Sequence, residues 1–386
     1  MEKPKVRISV RNLVEFILRS GDLDNSRGSS GDKEAMLKGG RLHRKIQRSM
    51  KGNYQAEVSL KRESEYEDVI IQVEGRADGI FTEDGEFWID EIKGTYGNLQ
   101  AMEVPVPVHR AQAMCYGWIY GEKEGLSQIG IQMTYSHLDT EDTRRFREIF
   151  SMEELKNWYQ KLLDDYHKWI SCSLSWKKER NASMKDLQFP FPYREGQREI
   201  VSGVYHTVSS KKTLFVQAPT GVGKTMSAIF PSVRAIGEGK GETLFYLTAK
   251  TITGTVAWEA FHTLRENGLK FKVTAITAKE KLCFLDSPEC TPEKCPYAKG
   301  HFDRVNDAVY ELWTTEEVYS REVIRAHAEK WQVCPFEMCL DLSVWVDGVI
   351  CDYNYAFDPN VHLKRFFGEN ISGDYIFLID EAHNLV

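Results

Sequence analysis

The sequence of 386 residues lacks the features that would place it in a membrane or outside the cell. No apolar run approaches the roughly 20 residues that a membrane-spanning helix needs. The N-terminus, Met1–Arg7, has no apolar core of the kind that a secretory signal peptide carries. In such a chain, eight cysteines are better explained by metal or cluster ligation than by disulfides. These absences predict a cytosolic protein without a membrane partner.

The chain also has no excess of positive charge. Its 50 Lys and Arg against 57 Asp and Glu give a formal net charge of -7. Bulk electrostatics therefore do not favour nucleic acid, and any contact with phosphates must come from local basic patches. Hydrophobic residues make up 42% of the chain, which is enough for ordinary cores, and the length allows two or three domains.

The clearest chemical signal is a phosphate-binding loop between a predicted strand and a predicted helix. The apolar run Thr213–Gln217 predicts a buried parallel strand in front of the loop. Backbone N–H groups would surround the phosphate oxygens, Lys224 would lie at the β- and γ-phosphates, and the Thr225 hydroxyl would reach Mg²⁺. The predicted nucleotide-binding residues are Ala218, Pro219, Thr220, Gly221, Val222, Gly223, Lys224 and Thr225. Ala218 stands where the usual pattern has glycine.

A second motif far downstream complements the loop. The run Tyr375–Ile379 predicts another strand, and Asp380-Glu-Ala-His383 follows it. Ligands of open α/β sheets bind at this carboxyl edge of the strands. Asp380 would hold the Mg²⁺ shell, and Glu381 would orient or deprotonate the attacking water. The two motifs together predict ATP hydrolysis and disfavour a glycine-rich turn without function.

A different set of charged residues lies in the N-terminal half. Alternate residues of a strand share a face, so Glu91 and Lys93 project together, and Asp78 from a hairpin partner would join them. Two carboxylates can hold Mg²⁺ or Mn²⁺, and a lysine can stabilise a phosphate or position water. This composition predicts a metal-dependent phosphodiesterase. The alternative is a set of charged strand ends on a solvated surface.

These residues resemble those of the PD-(D/E)xK nuclease superfamily, in particular its RecB-like branch. His43 stands where that branch carries a further metal ligand. Gln112 and Tyr116 match its Gln-x-x-x-Tyr helix motif, whose residues contact the nucleic-acid strand. The resemblance implies a mixed sheet flanked by helices, and DNA cleavage.

The match to this branch has one departure and one omission. Ala77, not proline, precedes Asp78, a change that is common in this superfamily. Some members hold an iron–sulfur cluster around the nuclease, but this region has only Cys115 and, beyond it, Cys172. We therefore expect no cluster in the N-terminal domain. Each matching residue taken alone has an ordinary alternative as a surface or packing residue, and their order along the chain favours the nuclease.

Five of the eight cysteines lie in one stretch of the C-terminal half. Cys283, Cys290 and Cys295 are close together, and Cys334 follows at a distance. A structural zinc site would normally use two close pairs, whereas three clustered thiolates and one distant thiolate suit a [4Fe–4S] cluster. The spacing does not exclude zinc. Cys339 is a rival for the fourth ligand.

The chain from Tyr193 onward resembles the iron–sulfur superfamily 2 helicases of the XPD/DinG group. The resemblance is carried by Phe191–Gln197, Tyr246–Thr251, Cys351–Tyr355 and the cysteine insertion ahead of Asp380. It implies that Gln197 reads the adenine and that the second of these motifs contacts the DNA backbone. It also implies that Cys334, which Pro335 follows, is the last cluster ligand. The partner implied is single-stranded or forked DNA.

The expected fold class is α/β in three segments. Residues 1–171 would form the nuclease domain, 172–192 a linker, and 193–386 a first RecA-like lobe with an iron–sulfur insertion at about 279–340. Because the chain stops soon after the second motif and no second motor lobe follows, we expect an N-terminal fragment or a truncated product.

The function predicted from these motifs is an ATP-dependent DNA helicase and nuclease of repair or recombination. It would move 5′→3′ on single-stranded DNA and cut it with Mg²⁺ or Mn²⁺, while the sequence names no protein partner. Two alternatives stay open. The N-terminal domain can be a DNA-binding module that does not cut, or the whole protein can be an ATP-dependent switch that regulates other proteins.

Overall fold

The structure is a computed structural model with two compact units. It describes residues 3–25, 32–50, 52–219, 221–249, 251–368 and 371–385, with the backbone alone for 32–36 and 251–253. The first unit comprises Met1–Ser20 and Asn25–Ser171, and the second comprises Gly21–Asp24 and Cys172–Val386. None of the helices in the described ranges combines the length and the apolar character that crossing a membrane requires.

The first unit is a mixed sheet flanked by helices. Its elements are β1 (Lys5–Ser9), α1 (Val10–Ile17), α2 (Asp32–Ser49), β2 (Gln55–Glu65), β3 (Ile70–Glu83), β4 (Glu86–Thr95), α3 (Pro107–Glu124), β5 (Gln128–His137), β6 (Thr143–Ser151) and the first part of α4 (Met152–Met184). The strand order is β1-β3-β4-β5-β6, with β2 paired to β3. Within the described residues, β1–β3 and β4–β5 are parallel pairs and the others are antiparallel.

The register of β3 and β4 places acidic residues opposite each other. The two strands form a hairpin whose last paired residues are Gly79 and Asp90. One step beyond the last pair, this register places Asp78 opposite Glu91, while β3 pairs with β1 at Ile70–Glu74. Residues directly opposite on antiparallel strands lie on the same face of the sheet. The separation of β3 from β4 therefore opens a gap beside this acidic pair.

The segment predicted as a linker, 172–192, is helical as far as Met184. Helix α4 continues without a break to Met184, across the boundary between the units after Ser171. Within the second unit, Arg180 is buried and forms an ion pair with Asp347. The positive charge of Arg180 is therefore paired inside the second unit, and the composition of the segment does not reveal this pairing.

The second unit is a parallel α/β sheet with a helical insertion. Its further elements are α5 (Gln197–Ser209), α6 (Lys224–Gly237), β7 (Thr243–Thr248), α7 (Thr251–Glu266), β8 (Val273–Ala275), α8 (Lys279–Leu282), α9 (His301–Thr315), β9 (Val318–Tyr319), α10 (Arg321–Trp331), α11 (Pro335–Ser343), β10 (Gly348–Asp352), α12 (Asn354–Phe357), α13 (Lys364–Phe367) and β11 (Tyr375–Ile379). The strand order among the described residues is β11-β7-β10-β8-β9, all parallel. Strand β9 comes from the cysteine-rich insertion and extends one edge of the sheet.

The strand predicted at Thr213–Gln217 is wrong. The segment has no regular secondary structure, and Phe215 is 87% exposed. Strand β11 pairs with β7 on one side only, and no described residue pairs with its other edge. An apolar run favours burial, but a strand also needs a hydrogen-bonded neighbour, and this segment has none.

Candidate functional site

The first unit brings His43, Asp78, Glu91 and Lys93 together beside the gap between β3 and β4. The Asp78 carboxylate accepts a hydrogen bond from the backbone N–H of Ile92, with an Oδ2–N distance of 2.7 Å. His43 Nδ1 lies 3.6 Å from Asp78 Oδ1. Lys93 Nζ lies 2.8 Å from Glu91 Oε1. The four residues that the sequence nominated thus converge from α2, β3 and β4.

Glu91 is the most perturbed group of this cluster. Burial, followed by repulsion from Asp78, raises the pKa of the Glu91 carboxyl to about 7, although Lys93 opposes the shift. Its Oε2 is buried and has no hydrogen-bond partner in the described part of the chain. A buried acceptor without a hydrogen-bond donor destabilises the fold, and a cation bound at this oxygen would supply the missing partner. The oxygen donors therefore suit Mg²⁺ or Mn²⁺ in chemistry.

Helix α3 lies along the same site. Gln112 is buried and its Oε1 also has no partner among the described residues. A Cβ atom on Gly75 would lie 2.7 Å from the Tyr116 hydroxyl, so only glycine lets the tyrosine approach β3. The sequence analysis missed His109, one turn before Gln112. Burial, followed by the nearby charge of Lys93, lowers the pKa of His109 to about 4, and its Nδ1 lies 3.1 Å from the Tyr135 hydroxyl.

The phosphate loop of the second unit occupies the start of α6. Gly221 and Gly223 have φ angles of 82° and 80°, the left-handed conformation that glycine adopts without strain. Lys224 is the first residue of α6, and its ammonium donates to the Ala218 carbonyl oxygen at 3.1 Å. The N-terminus of a helix with such a loop offers N–H donors to phosphate. Thr220 lies outside the described residues, and for Pro219 the structure shows only a position in the loop.

The second motif lies beside this loop, and Tyr246 on β7 connects the two. The Tyr246 hydroxyl lies near the side chains of both Thr225 and Asp380, and burial raises its pKa above the ordinary value. The backbone of Asp380 continues the ladder of β11 by donating to the Leu247 carbonyl oxygen at 2.9 Å. Glu381, with a φ of 50°, turns the chain directly after Asp380. Thr225 and Asp380 therefore share one cleft.

The side-chain amide of Gln197 already forms hydrogen bonds within the protein. It is buried, its Nε2 donates to the Val222 carbonyl oxygen at 2.6 Å, and its Oε1 accepts from the Arg194 N–H at 2.8 Å. Arg194 also donates to the Gly221 carbonyl oxygen. In this structure Gln197 supports the backbone of the phosphate loop, and a contact with adenine stays a prediction.

A cavity of about 440 Å³ opens at the carboxyl ends of β7, β8 and β10. Its lining includes Thr248, Trp258, Lys281, Asp352, Asn354 and Tyr355. Thr248 belongs to the motif predicted to contact the DNA backbone, and the last three belong to or adjoin the predicted Asn-Tyr segment. Lys250 lies outside the described residues. Two motifs that are about 100 residues apart in the sequence thus share one concave surface.

Three of the four nominated cysteines belong to one apolar cluster. Cys290, Cys295 and Cys334 are buried with Ala298 and Leu23. Although burial opposes the shift, a hydrogen bond with Cys290 and the nearby Cys334 raise the pKa of Lys279. Cys283 lies at the end of α8.

The rival fourth ligand, Cys339, contacts β8 instead. Its Sγ is 3.7 Å from Thr274 Oγ1 and 3.9 Å from the Ala275 carbonyl oxygen. All eight cysteines are free thiols. The sulfur donors suit an iron–sulfur cluster, but no three His, Cys, Asp or Glu side chains in the described ranges converge closely enough to hold a metal ion. The same holds for the carboxylate site of the first unit.

One comparison with known proteins falls within the second unit. The family model described as DEAD_2 matches residues 263–386. A probable ATP-dependent helicase of Methanocaldococcus jannaschii is 40% identical over 201 residues, which cover 51% of this chain and 29% of that protein. The human regulator of telomere elongation helicase 1 is 21% identical over 250 residues, which cover 52% of this chain and 20% of that protein.

The family match and these relatives support similarity to XPD-like superfamily 2 helicases. The chain spans less than a third of the length of the curated relatives that it matches. A solved structure named XPD helicase is 18% identical, with a TM-score of 0.35 over 50% of this chain and 33% of that chain. Because this TM-score is below 0.5, the likeness does not establish a common fold.

Proposed function

We propose that the second unit is the first, RecA-like ATP-binding lobe of an XPD-type DNA helicase. The observation that carries this proposal is the pairing of β11 with β7, which brings Asp380 next to Tyr246 and thereby near Thr225 at the start of α6. In P-loop NTPases a threonine and an acidic residue at these places hold the Mg²⁺ of the nucleotide. The DEAD_2 match and the names of the helicase relatives support the same assignment.

Each residue of the cleft has a distinct role in this proposal. Lys224 exchanges the Ala218 carbonyl oxygen for the β- and γ-phosphates, which are stronger acceptors because they are charged. Thr225 and Asp380 would hold Mg²⁺, which would supply positive charge against the phosphates. Glu381 orients the attacking water, and Gln197 keeps the loop in shape through the Val222 carbonyl.

Nucleotide binding is the direct test of this lobe. Lys224→Ala is expected to weaken the binding of a fluorescent ATP analogue by tenfold or more, since a charge-assisted contact contributes about 1.5–3 kcal/mol. Glu381→Gln is expected to retain binding, because this residue acts on the water. Lys212→Ala, an exposed lysine outside the loop, is the matched control. Equal affinity of the Lys224→Ala variant and the unchanged protein would refute the assignment.

In this proposal, single-stranded DNA binds in the cavity lined by Trp258 and Tyr355. Base stacking on aromatic side chains is the usual means of holding a single strand without regard to sequence. Movement in the 5′→3′ direction is part of the proposal through the resemblance to the XPD/DinG group. The thiols of Cys283, Cys290, Cys295 and Cys334 would hold a [4Fe–4S] cluster, which in that group belongs to the DNA-contacting wedge.

We also propose that the first unit cleaves DNA. The convergence of His43, Asp78, Glu91 and Lys93, with the unsatisfied Glu91 oxygen, supports this second function. His43, Asp78 and Glu91 would hold Mg²⁺ or Mn²⁺, which lowers the pKa of bound water and polarises the phosphate. Lys93 lies beside this site and stabilises the charge that develops on the phosphate.

Cleavage of labelled single-stranded DNA with Mn²⁺ tests this function. Lys93→Ala is expected to lower the cleavage rate by about 10²–10³, the usual effect of removing one group that stabilises the transition state. Lys61→Ala, an exposed lysine on β2, is the matched control. Absence of cutting, or equal rates for the Lys93→Ala variant and the unchanged protein, would leave the alternative of a DNA-binding module that does not cut.

A further inference from the structure

Helix α2 carries a concentration of positive charge that the net charge of the chain does not suggest. Between Leu37 and Met50 the sequence has five lysines and arginines and no Asp or Glu. Lys38 and Lys45 pair with Asp139 and Glu141 at one side of the helix. The three arginines of this segment are on another side.

The packing of α2 fixes where those arginines point. Leu42 and Ile46 are buried against Ile92 of β4. Gln47 donates to the Asp78 carbonyl oxygen at 2.9 Å, and His43 lies beside the Asp78 carboxylate. Successive residues of a helix are rotated by 100°, so the side of α2 opposite Leu42 and Ile46 faces solvent. This solvent-facing side adjoins the side that carries His43 and Gln47.

That outward side holds Arg41, Arg44 and Arg48, which we call the arginine stripe. All three are exposed, and none forms an ion pair with a residue that the structure describes. Their spacing of three and four residues puts them in one row about 10 Å long at 1.5 Å rise per residue. A row of that length can contact more than one phosphate of a strand.

We propose that the arginine stripe binds the phosphates of single-stranded DNA and leads the strand to the carboxylate site. The inference rests on the proposed nuclease function and adds a substrate-binding surface outside the four site residues. Arginine suits this task because its guanidinium stays charged and forms paired hydrogen bonds with phosphate. The charge of the stripe is complementary to the strand, whereas the chain as a whole is acidic.

Binding without metal separates this proposal from cleavage. Anisotropy of a labelled oligothymidine in EDTA, across a salt series, compares the full chain with the Arg41→Gln, Arg44→Gln, Arg48→Gln variant. Each lost phosphate contact lowers the slope of log affinity against log salt by about 0.7, so a loss of about 2 is expected. The control is Arg11→Gln, Lys61→Gln, Lys161→Gln, which removes the same charge from exposed residues elsewhere on the first unit.

An equal salt slope and equal affinity in the stripe variant and the control would overturn the proposal. A weaker stripe variant together with unchanged cleavage by Lys93→Ala would retain the stripe as a DNA surface and reject the nuclease. The reverse pattern would keep the nuclease and reject the stripe. The two failures are therefore distinguishable.

A separate observation concerns the short segment Gly21–Asp24, which belongs to the second unit although it follows α1 in the chain. It forms four hydrogen bonds with the cysteine region, three through its backbone and one through the Asp22 side chain. Leu23 N–H donates to the Ala298 carbonyl oxygen at 2.9 Å, and Phe302 N–H donates to the Gly21 carbonyl oxygen at 2.9 Å. Gly21 N–H donates to the Asp303 carboxylate at 2.8 Å, and Gly300 N–H donates to the Asp22 carboxylate at 2.6 Å.

Leu23 fills the apolar side of the cysteine cluster. It is 7% exposed and packs with Cys290, Cys295 and Cys334, from a position more than 260 residues earlier in the sequence. An apolar shell around sulfur ligands controls how far solvent and reagents reach them. We infer that Gly21–Asp24 is a clasp that closes the cysteine site, with Leu23 as the residue that limits access to the thiols.

Alkylation of the thiols under native conditions tests the clasp without any assay of activity. In the full chain free of the cluster, Leu23→Ser is expected to raise the iodoacetamide labelling rates of Cys290, Cys295 and Cys334 by about tenfold, because local opening governs the reactivity of buried groups. Asp22→Ala, which removes the bond to Gly300, is expected to give a smaller rise. Leu214→Ser, at an exposed leucine, is the matched control.

Labelling of Cys339 identifies a general loss of structure, because this thiol is buried against β8 in the same unit. Unchanged labelling of Cys290, Cys295 and Cys334 in both clasp variants would overturn the inference. A parallel rise at Cys339 in both variants would overturn it as well, since the unit would then loosen as a whole.

Discussion

The buried ion pair between Arg180 and Asp347 gives the sharpest test of how the second unit is held together. Arg180 Nη1 lies 2.7 Å from Asp347 Oδ1, and both side chains are 5% exposed. Asp347 also accepts from the Trp176 indole at 2.9 Å and from the Lys272 N–H at 2.8 Å. Arg180→Met keeps most of the volume of the side chain and removes its charge, so the buried Asp347 loses its ion-pair partner.

The expected loss is about 3 kcal/mol of unfolding free energy for the second unit. Removing one partner of a buried ion pair costs roughly 3–5 kcal/mol, because an uncompensated charge stays behind. The lower end applies here, since Trp176 and Lys272 still donate to the Asp347 carboxylate. For about 215 residues, such a loss lowers the melting temperature by roughly 6–12 °C.

Urea unfolding followed by tryptophan fluorescence measures this loss, because Trp176 contacts Asp347 directly. The control is Lys177→Met, three residues before Arg180 on α4. Its ion pair with Glu242 at 3.1 Å is exposed, so a change below about 1 kcal/mol is expected. If Arg180→Met lowers the unfolding free energy as little as Lys177→Met does, the reasoning is refuted, because the buried ion pair would then stabilise the unit no more than a surface ion pair.

Two further predictions concern the nucleotide loop and the cysteines. Gly223→Ala is expected to weaken nucleotide binding by about tenfold, because its φ is 80° and the new Cβ would lie 2.5 Å from Gln197 Nε2. Gly239→Ala has a similar φ of 73° with open space around it, so equal nucleotide affinity of the two variants would count against the contact with Gln197. Cys334→Ser is expected to lose iron and the brown colour of anaerobically purified protein, while Cys339→Ser keeps both; the opposite result by iron analysis would exchange the two cysteines.

Local patterns in the sequence were sufficient to nominate the residues of both sites. The alternation of β4 predicted that Glu91 and Lys93 share a face, and the structure places them 2.8 Å apart. The apolar run before Asp380 predicted β11, which the structure contains. Side-chain alternation and loop chemistry depend on neighbours along the chain, and so a sequence can reveal them.

Other features depended on partners far along the chain. The apolar Thr213–Gln217 looked like a strand, but the structure gives it no neighbour to pair with. The charged segment at the end of α4 gave no sign in the sequence that Arg180 would be buried against Asp347, 167 residues away. Composition records the charge or apolarity of a segment and does not record which distant group satisfies it.

The sequence by itself determined the chemistry that each site can perform, because the kinds of donor and their local spacing are written in it. Tertiary structure alone decided that Tyr246 lies near both Thr225 and Asp380 and that Leu23 packs against Cys290, Cys295 and Cys334. Both contacts join residues that are distant along the chain and lie in elements whose register only the folded sheet and its packed helices define. Their energies come from burial and hydrogen-bond geometry, which exist only once the chain has folded.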